Sequence, residues 1–341
     1  MLATSDAHTA LRALYSDVAA FSRGLLPGYA LRPYQVDIAR AIVASVREGR
    51  GLQFAVVCAR QSGKDEVLAQ TIAYLLNLYQ QAGGAIVVAA PTFRPQSLIS
   101  RTRLLDRLAN PLNRRQVAAR DGYIVGLGRA TARFLSAGPT ASVRGETASL
   151  LLVANEAQDI APDRWDAVFD PMAAATNATT VFSGTVWSDR TLLARQLRHL
   201  RRLEAADGVR RVFTVPWERV AADVPAYGDR VRARIAQFGR DHPFIRTEYD
   251  LQELAGGGGL FNPARRAQLQ GDHPRQRRPT PGRAYALLLD VAGEDEAGGL
   301  LASPTGRRDS TALTVVEVRS RAVGQSGSGF GSSTSPVERH G

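Results

Sequence analysis

Of the 43 basic side chains in this sequence only one, Lys64, is a lysine; the rest are arginines. A bias toward arginine explains the arginines, but not why one ammonium is kept. An ammonium is a compact point charge that a planar guanidinium does not replace where space is tight. Lys64 stands in the run Cys58-Ala59-Arg60-Gln61-Ser62-Gly63-Lys64-Asp65, between an apolar stretch and a helical pattern. A strand, a loop ending Gly-Lys and a helix form the arrangement that cradles phosphates. Loop and helix N–H groups point at phosphate oxygens, the helix dipole favours their charge, and the lysine reaches the terminal phosphates. Arg60, Gln61, Ser62, Gly63, Lys64 and Asp65 are therefore candidate nucleotide-binding residues. The loop departs from GxxxxGK[ST] twice. Cys58 stands at the first glycine, and Asp65 stands where Ser or Thr would hold Mg²⁺.

A second candidate group follows at SLLLVANEAQD (Ser149–Asp159), an apolar run ending in acids. Such a strand end normally offers an Asp to Mg²⁺ and a Glu to polarise the attacking water. Here Asn155 takes the first position and Glu156 the second. The competing reading is a strand followed by a helix start, where acids are favoured. The two departures compensate in charge: Asp65 adds a carboxylate on the loop side and Asn155 removes one on the strand side. One reading makes Asp65 the Mg²⁺ ligand, with Asn155 contributing an amide oxygen or orienting a water, since Mg²⁺ takes hard oxygen ligands and keeps several waters. The rival reading is a site that has lost hydrolysis. Arg60 is placed to stabilise γ-phosphate charge in cis, and Arg144 to serve a neighbouring subunit in trans. A surface ion pair or a nucleic-acid contact remains the other account of Arg144. Gln35, in LRPYQ, could read adenine through its amide, or cap a helix.

These residues need elements to hold them. A helical stretch runs through Arg23, with Leu11, Leu14, Val18 and Phe21 at helical spacing, and a second helix spans Pro33–Arg47. Leu52–Cys58, Ala85–Pro91, Ser149–Asp159, Thr179–Thr185 and Arg211–Val215 are short, continuous apolar runs, the pattern of buried parallel strands. Helices are expected from the loop to Tyr79, near Pro95–Ala109, over Asp189–Leu203 and from Asp229 to Leu254. Tyr123–Val125 and Ala132–Leu135 read as a hairpin. Strands alternating with helices predict an α/β fold with a mostly parallel sheet. The expected domains are an ATPase unit over residues 1–254, a Gly/Pro/Arg-rich linker over 255–283, a strand pair over 284–318 and a Ser/Gly-rich disordered tail over 319–341.

Composition narrows the class. With 341 residues, 44 % of them hydrophobic, the chain can bury a real core, and Cys58, its only cysteine, excludes a disulfide scaffold. No apolar run is long enough to span a bilayer and the N-terminus lacks a signal-peptide pattern, so the expected location is the cytoplasm, with no membrane partner. The net charge of +11 favours a polyanionic partner, nucleic acid first.

Taken in order, these segments resemble the large subunit of the terminase, the DNA-packaging motor of tailed bacteriophages. LRPYQ resembles its adenine-reading segment, ARQSGKDE its phosphate loop and APTFRPQS (Ala90–Ser97) its next strand end. VRGETASLLLVANEAQD is similar to its acidic strand with the arginine ahead of it. FSGT (Phe182–Thr185) resembles its coupling segment, and HPFIRTEYDLQEL before GGGGLF its handover to a nuclease domain. The resemblance spans about Leu31 to Val318. It implies a P-loop (RecA/ASCE-like) ATPase that pumps duplex DNA, with ATP and Mg²⁺ as cofactors. Ser183, Gly184 and Thr185 would couple hydrolysis to DNA movement. The implied partners are a portal and procapsid, a small terminase subunit and further copies in a ring, in the host cell cytoplasm. It further implies an RNase H-like nuclease using Mg²⁺ or Mn²⁺. Asp290, at the end of YALLLD, matches its first carboxylate; Asp309 and Asp295 are weaker matches. The remaining nuclease carboxylates find no counterpart after Val318, so the expectation is an incomplete, inactive nuclease: a fragment, a frameshifted gene or a prophage remnant. Two alternatives stay open, a helicase-like translocase of another family and a decayed, non-hydrolysing DNA-binding protein.

Overall fold

A computed structural model of the chain describes residues 2–143, 145–253, 278–290 and 312–318. Contacts divide the chain into two units, residues 1–256 and 257–341.

The first unit is built on an eight-stranded sheet. In chain order its strands are β1 (Gln53–Cys58), β2 (Gly84–Ala90), β3 (Val117–Arg120), β4 (Ile124–Leu127), β5 (Ala130–Ser136), β6 (Leu151–Asn155), β7 (Thr179–Gly184) and β8 (Val212–Val215). The spatial order is β3-β4-β5-β2-β6-β7-β1-β8. The six strands from β5 to β8 run parallel, and β3 and β4 close one side as antiparallel partners. The expected α/β class with a mostly parallel sheet is what forms.

Helices cover both faces because the central strands β1, β2, β6 and β7 are buried on both. In β1, Phe54, Val56 and Cys58 point into one core, and Ala55 and Val57 into the other. The first core is closed by α1 (Leu2–Tyr15), α2 (Val18–Leu25), α3 (Pro33–Arg47), α4 (Lys64–Tyr79) and α5 (Leu98–Leu108). Eleven consecutive residues of α4, Val67–Asn77, are buried, so this helix is walled in on all sides. The second core is closed by the short turns α6 (Pro162–Arg164) and α7 (Pro171–Ala174) and by α8 (Leu192–Asp207). At its centre Trp165 stacks on Phe169 at 5.6 Å and meets Phe182 edge-on at 5.1 Å. Helices α9 (Trp217–Asp223), α10 (Pro225–Phe238) and α11 (Pro243–Glu248) complete the unit.

Several expected helices are shorter than their apolar pattern. The N-terminal stretch breaks at Asp17, which is extended and whose carboxylate accepts two hydrogen bonds from Arg40 of α3. That guanidinium holds the Asp17 carboxyl below its usual range. The helix expected near Pro95 takes regular α form from Leu98, after a wider turn over Phe93–Ser97 in which Arg94, before a proline, is extended. The pattern from Asp229 onward splits at Gly239 (φ +85°), and His242 then caps α11 by accepting from the Phe244 N–H at 3.2 Å.

In the second unit, β9 (Ala284–Asp290) pairs antiparallel with β10 (Ala312–Val318), Ala312 opposite Asp290. Leu287, Leu288 and Leu289 are all exposed. Most of the linker expected over 255–283, the tail over 319–341, Asp295, Asp309 and Arg144 lie outside the described residues.

Trp165 gives a direct test of the second core. Its ring is fully buried, but its indole N–H has no partner among the described residues. Trp165→Ala should destabilise the first unit by about 3–5 kcal/mol in chemical denaturation. Trp165→Phe should cost clearly less, since it also removes an unpaired buried donor.

Candidate functional site

The loop after β1 sits where the parallel strands end, with β7 on one side of β1 and β8 on the other. Two of its residues have left-handed backbone, Gln61 (φ +62°) and Gly63 (φ +87°). A Cβ on Gly63 would lie 2.5 Å from the Gln35 amide nitrogen, so glycine is required here for space as well as for φ. α4 starts at the next residue, Lys64. The N–H groups of Gly63, Lys64 and Asp65 find no partner among the described residues, as the start of a helix dictates.

The loop's carbonyls are held from behind. The buried Tyr34 hydroxyl donates to the Ser62 carbonyl at 2.6 Å, and the Gln35 amide donates to the Gly63 carbonyl at 3.2 Å. Burial pushes the Tyr34 phenol up, keeping it a donor. Gln35 also accepts from the Arg32 N–H at 2.9 Å and is 2 % exposed. The structure thus places Gln35 behind the loop, both capping α3 and bracing Gly63, and not on the wall of the cleft. On the other flank the Tyr227 hydroxyl donates to the Arg60 carbonyl at 2.8 Å, and the Arg60 N–H donates to the Glu248 carbonyl at 2.8 Å.

A cleft of about 610 Å³ opens over the loop, lined by residues 58–66, Arg103, Glu156, Gln158, Asp159, Thr185 and Glu248. Lys64 and Glu156 meet in it at 2.8 Å. β6 ends at Asn155, and Glu156 then takes a left-handed conformation (φ +55°, ψ +49°). That conformation is strained for a residue with a side chain, and such strain clusters at functional positions. Gln158 donates to Glu156 at 2.7 Å and accepts from the Thr185 N–H at 3.2 Å. It can approach because Gly184 lacks a Cβ, which would lie 2.1 Å from the Gln158 Oε1. The Thr185 hydroxyl donates to the Cys58 carbonyl at 3.3 Å. One chain of contacts therefore links the end of β7 through Gln158 and Glu156 to Lys64. Asp159 beside it has its carboxyl held above the usual range, first by partial burial and then by the Glu156 charge.

Asn155 and Asp65 are in direct contact: the Asn155 amide donates to Asp65 at 3.2 Å. Arg103 of α5 pairs with the other oxygen of Asp65 at 3.1 Å. Glu66, the neighbouring acid, points elsewhere, into a bidentate pair with Arg107 at 2.6 and 3.1 Å. Arg60 lies at the rim, 56 % exposed and 3.4 Å from Glu248. Three buried side-chain oxygens here have no partner among the described residues, those of Ser62, Asn155 and Ser183, the last two lying opposite each other on β6 and β7. No group of three His, Cys, Asp or Glu residues able to hold a metal occurs among the described residues. A protein-only metal cage is therefore not what these residues build. Hard oxygens beside a phosphate loop, one of them buried and unpaired, do fit Mg²⁺ shared with a nucleotide, its usual mode of binding.

The sequence brings Lys64, Asp65, Asn155, Glu156 and Thr185 forward, and the structure gathers all five here. It adds Tyr34, Gln158, Arg103, Tyr227 and Glu248, and Ser100 of α5, whose hydroxyl accepts from the Asn155 amide at 3.2 Å. Gln158 was within sight, two residues from Glu156. Tyr34 lies in LRPYQ beside Gln35, and no local pattern marks the rest, whose positions follow from packing.

No family model and no curated protein matches the chain. Solved structures do. The large terminase of bacteriophage HK97 aligns with a TM-score of 0.54 at 17 % identity, over 89 % of this chain and 64 % of that one. That of the thermophilic bacteriophage D6E aligns with a TM-score of 0.50 at 11 % identity, over 84 % and 65 %. The fold is that of the phage large terminases. The chain spans about two thirds of the length of these terminases. Among the described residues no helix is long and apolar enough to cross a membrane.

Cys58, at the first loop position, is fully buried and its thiol is pushed up to about 11 by desolvation. The thiolate is the reactive form, so it stays protonated at ordinary pH. A thiol reagent at pH 8 should leave the folded chain unlabelled and take up one equivalent on denaturation, both read by mass spectrometry.

Proposed function

We propose that the chain is a terminase-type motor ATPase that hydrolyses Mg²⁺–ATP to drive viral duplex DNA into a procapsid. The observation that carries this is the single cleft in which Lys64, Glu156 and the loop N–H groups converge at the ends of β1 and β6, with Thr185 of the β7 end wired to them through Gln158. In this reading the N–H groups and Lys64 take the phosphate charge. Phosphate arrival draws Lys64 away from Glu156 and frees that carboxylate to accept a proton from the attacking water. Mg²⁺ supplies charge neutralisation on the transferring phosphate; Asp65 and Asn155 would hold it. Gln158 passes the state of Glu156 to residues 183–185, which couple hydrolysis to DNA movement. Arg60 stabilises the γ-phosphate from the loop, and Arg144 does so for a neighbour in a ring of subunits. Gln35, bracing the loop, reaches adenine only after releasing Gly63.

Duplex DNA is held by arginine–phosphate contacts, without sequence preference, in the host cell cytoplasm, together with a portal and a small terminase subunit. The 89 % alignment to the HK97 terminase extends beyond the 256 residues of the first unit and supports reading β9 and β10 as the start of a nuclease sheet. There Asp290 ends β9, and with Asp309 it would serve a two-metal centre using Mg²⁺ or Mn²⁺. The carboxylate missing at position 155 reappears at position 65, in contact with Asn155 at 3.2 Å, which favours retained hydrolysis over the decayed, non-hydrolysing reading.

The test is ATP turnover by the purified chain with and without Mg²⁺ and duplex DNA, beside Glu156→Gln. The expected result is Mg²⁺-dependent turnover that Glu156→Gln lowers by at least about 100-fold while nucleotide binding persists. Equal turnover in both proteins would sink the assignment of Glu156. In the same preparation, DNA affinity should fall steeply between low and moderate salt.

A further inference from the structure

Both oxygens of Asp65 are spoken for. Oδ1 accepts from the Asn155 amide at 3.2 Å and Oδ2 from the Arg103 guanidinium at 3.1 Å. The Asn155 amide also reaches the Ser100 hydroxyl at 3.2 Å, while its own oxygen is buried with no partner. Ser100 and Arg103 lie one turn apart on α5, so a single helix contacts both members of the pair.

A phosphate-loop serine or threonine donates its hydroxyl hydrogen toward an acid on the neighbouring strand. In this chain the contact between the same two positions is kept with its direction reversed: the strand supplies the donor and the helix supplies the acceptor. The negative charge has moved across the site, but its amount has not changed. What has no place in the usual scheme is Arg103, a cation seated on the carboxylate where a divalent ion would bind.

We propose that Asp65 is the anionic ligand for the nucleotide's divalent cation, and that Arg103 is its resident counter-cation, displaced when metal and nucleotide arrive. This rests on the nucleotide reading above and deepens it. Arg103 has one carboxylate partner in the cleft, and Asp65 cannot neutralise a guanidinium and a divalent ion with the same oxygen. Asn155 stays in contact with Asp65 throughout and brings its unpaired oxygen to the metal or to one of its waters. The loss of Arg103 from Asp65 makes α5 the element that registers metal occupancy.

The test uses the full chain, a fluorescent ADP analogue and Mn²⁺, with free Mn²⁺ read by electron paramagnetic resonance. Wild type should bind the analogue without metal and retain Mn²⁺ only when the analogue is present. Asp65→Asn should keep metal-free binding and raise the half-saturating Mn²⁺ concentration at least about tenfold. Asp65→Thr combined with Asn155→Asp should restore retention to within a few-fold of wild type, because the carboxylate returns to the strand. Arg103→Gln, on a partly exposed side chain, should lower the half-saturating concentration about two- to fivefold by removing the competitor. Unchanged Mn²⁺ retention in Asp65→Asn overturns the ligand assignment. Weaker retention in Arg103→Gln overturns the competition. A wild type that binds the analogue but never retains Mn²⁺ overturns this proposal and the metal assignment to Asp65 and Asn155 above it, while the phosphate-loop reading stands; one that binds no analogue overturns the nucleotide reading and this proposal with it.

Discussion

A phosphate loop can present its N–H groups only if its carbonyls are held away from the cleft, and here a tyrosine hydroxyl does most of that holding. The bond from Tyr34 to the Ser62 carbonyl is buried, where a hydrogen bond meets little competition from water and an unmade one is costly. Gln35 adds a second tie one residue on, and the two sit side by side at the start of α3. The left-handed turn at Gln61 and Gly63, the N-terminus of α4 and the position of Lys64 all follow from that anchoring. Helix α3 is thus less a wall of the core than the clamp that fixes the loop's polarity.

The parallel sheet was legible in the sequence because its strands are short, apolar on both faces and separated by helical patterns. β1, β6, β7 and β8 fall inside the predicted runs, β2 starts one residue before its own, and α3 matches its predicted span. Helix ends were less legible where a single residue overrides a periodic pattern. Asp17 is pulled out of helix by an arginine 23 residues away, which no local window contains. β3 was missed because VAAR carries little β signal and is held in the sheet as the edge partner of β4. In the site, residues that act through backbone geometry or through chemistry were readable from type and spacing. Those that act by reaching across the fold, such as Arg103 and Tyr227, were not. For Gln35 residue type left two roles open, and deciding between them takes its contacts with the Arg32 N–H and with the Gly63 carbonyl, a neighbour 28 residues away that no local window contains.

The site carries its strain and its charge together. Glu156 is left-handed, Lys64 is paired with it, and three buried oxygens go unpaired within the same few strand ends. Each of these would be corrected easily in a region under selection for stability alone. Their convergence on one cleft marks the ends of β1, β6 and β7 as a place where stability yields to another demand.

The single lysine has a practical side. Besides the α-amino group, the chain offers an acylating or imidating reagent one primary amine, and that amine lies 11 % exposed against a carboxylate in the cleft. Whatever enters the cleft must compete with the reagent for the same atom. Amine modification, usually too indiscriminate to be informative, becomes in this chain a single-site report on occupancy that needs neither a substitution nor an attached dye.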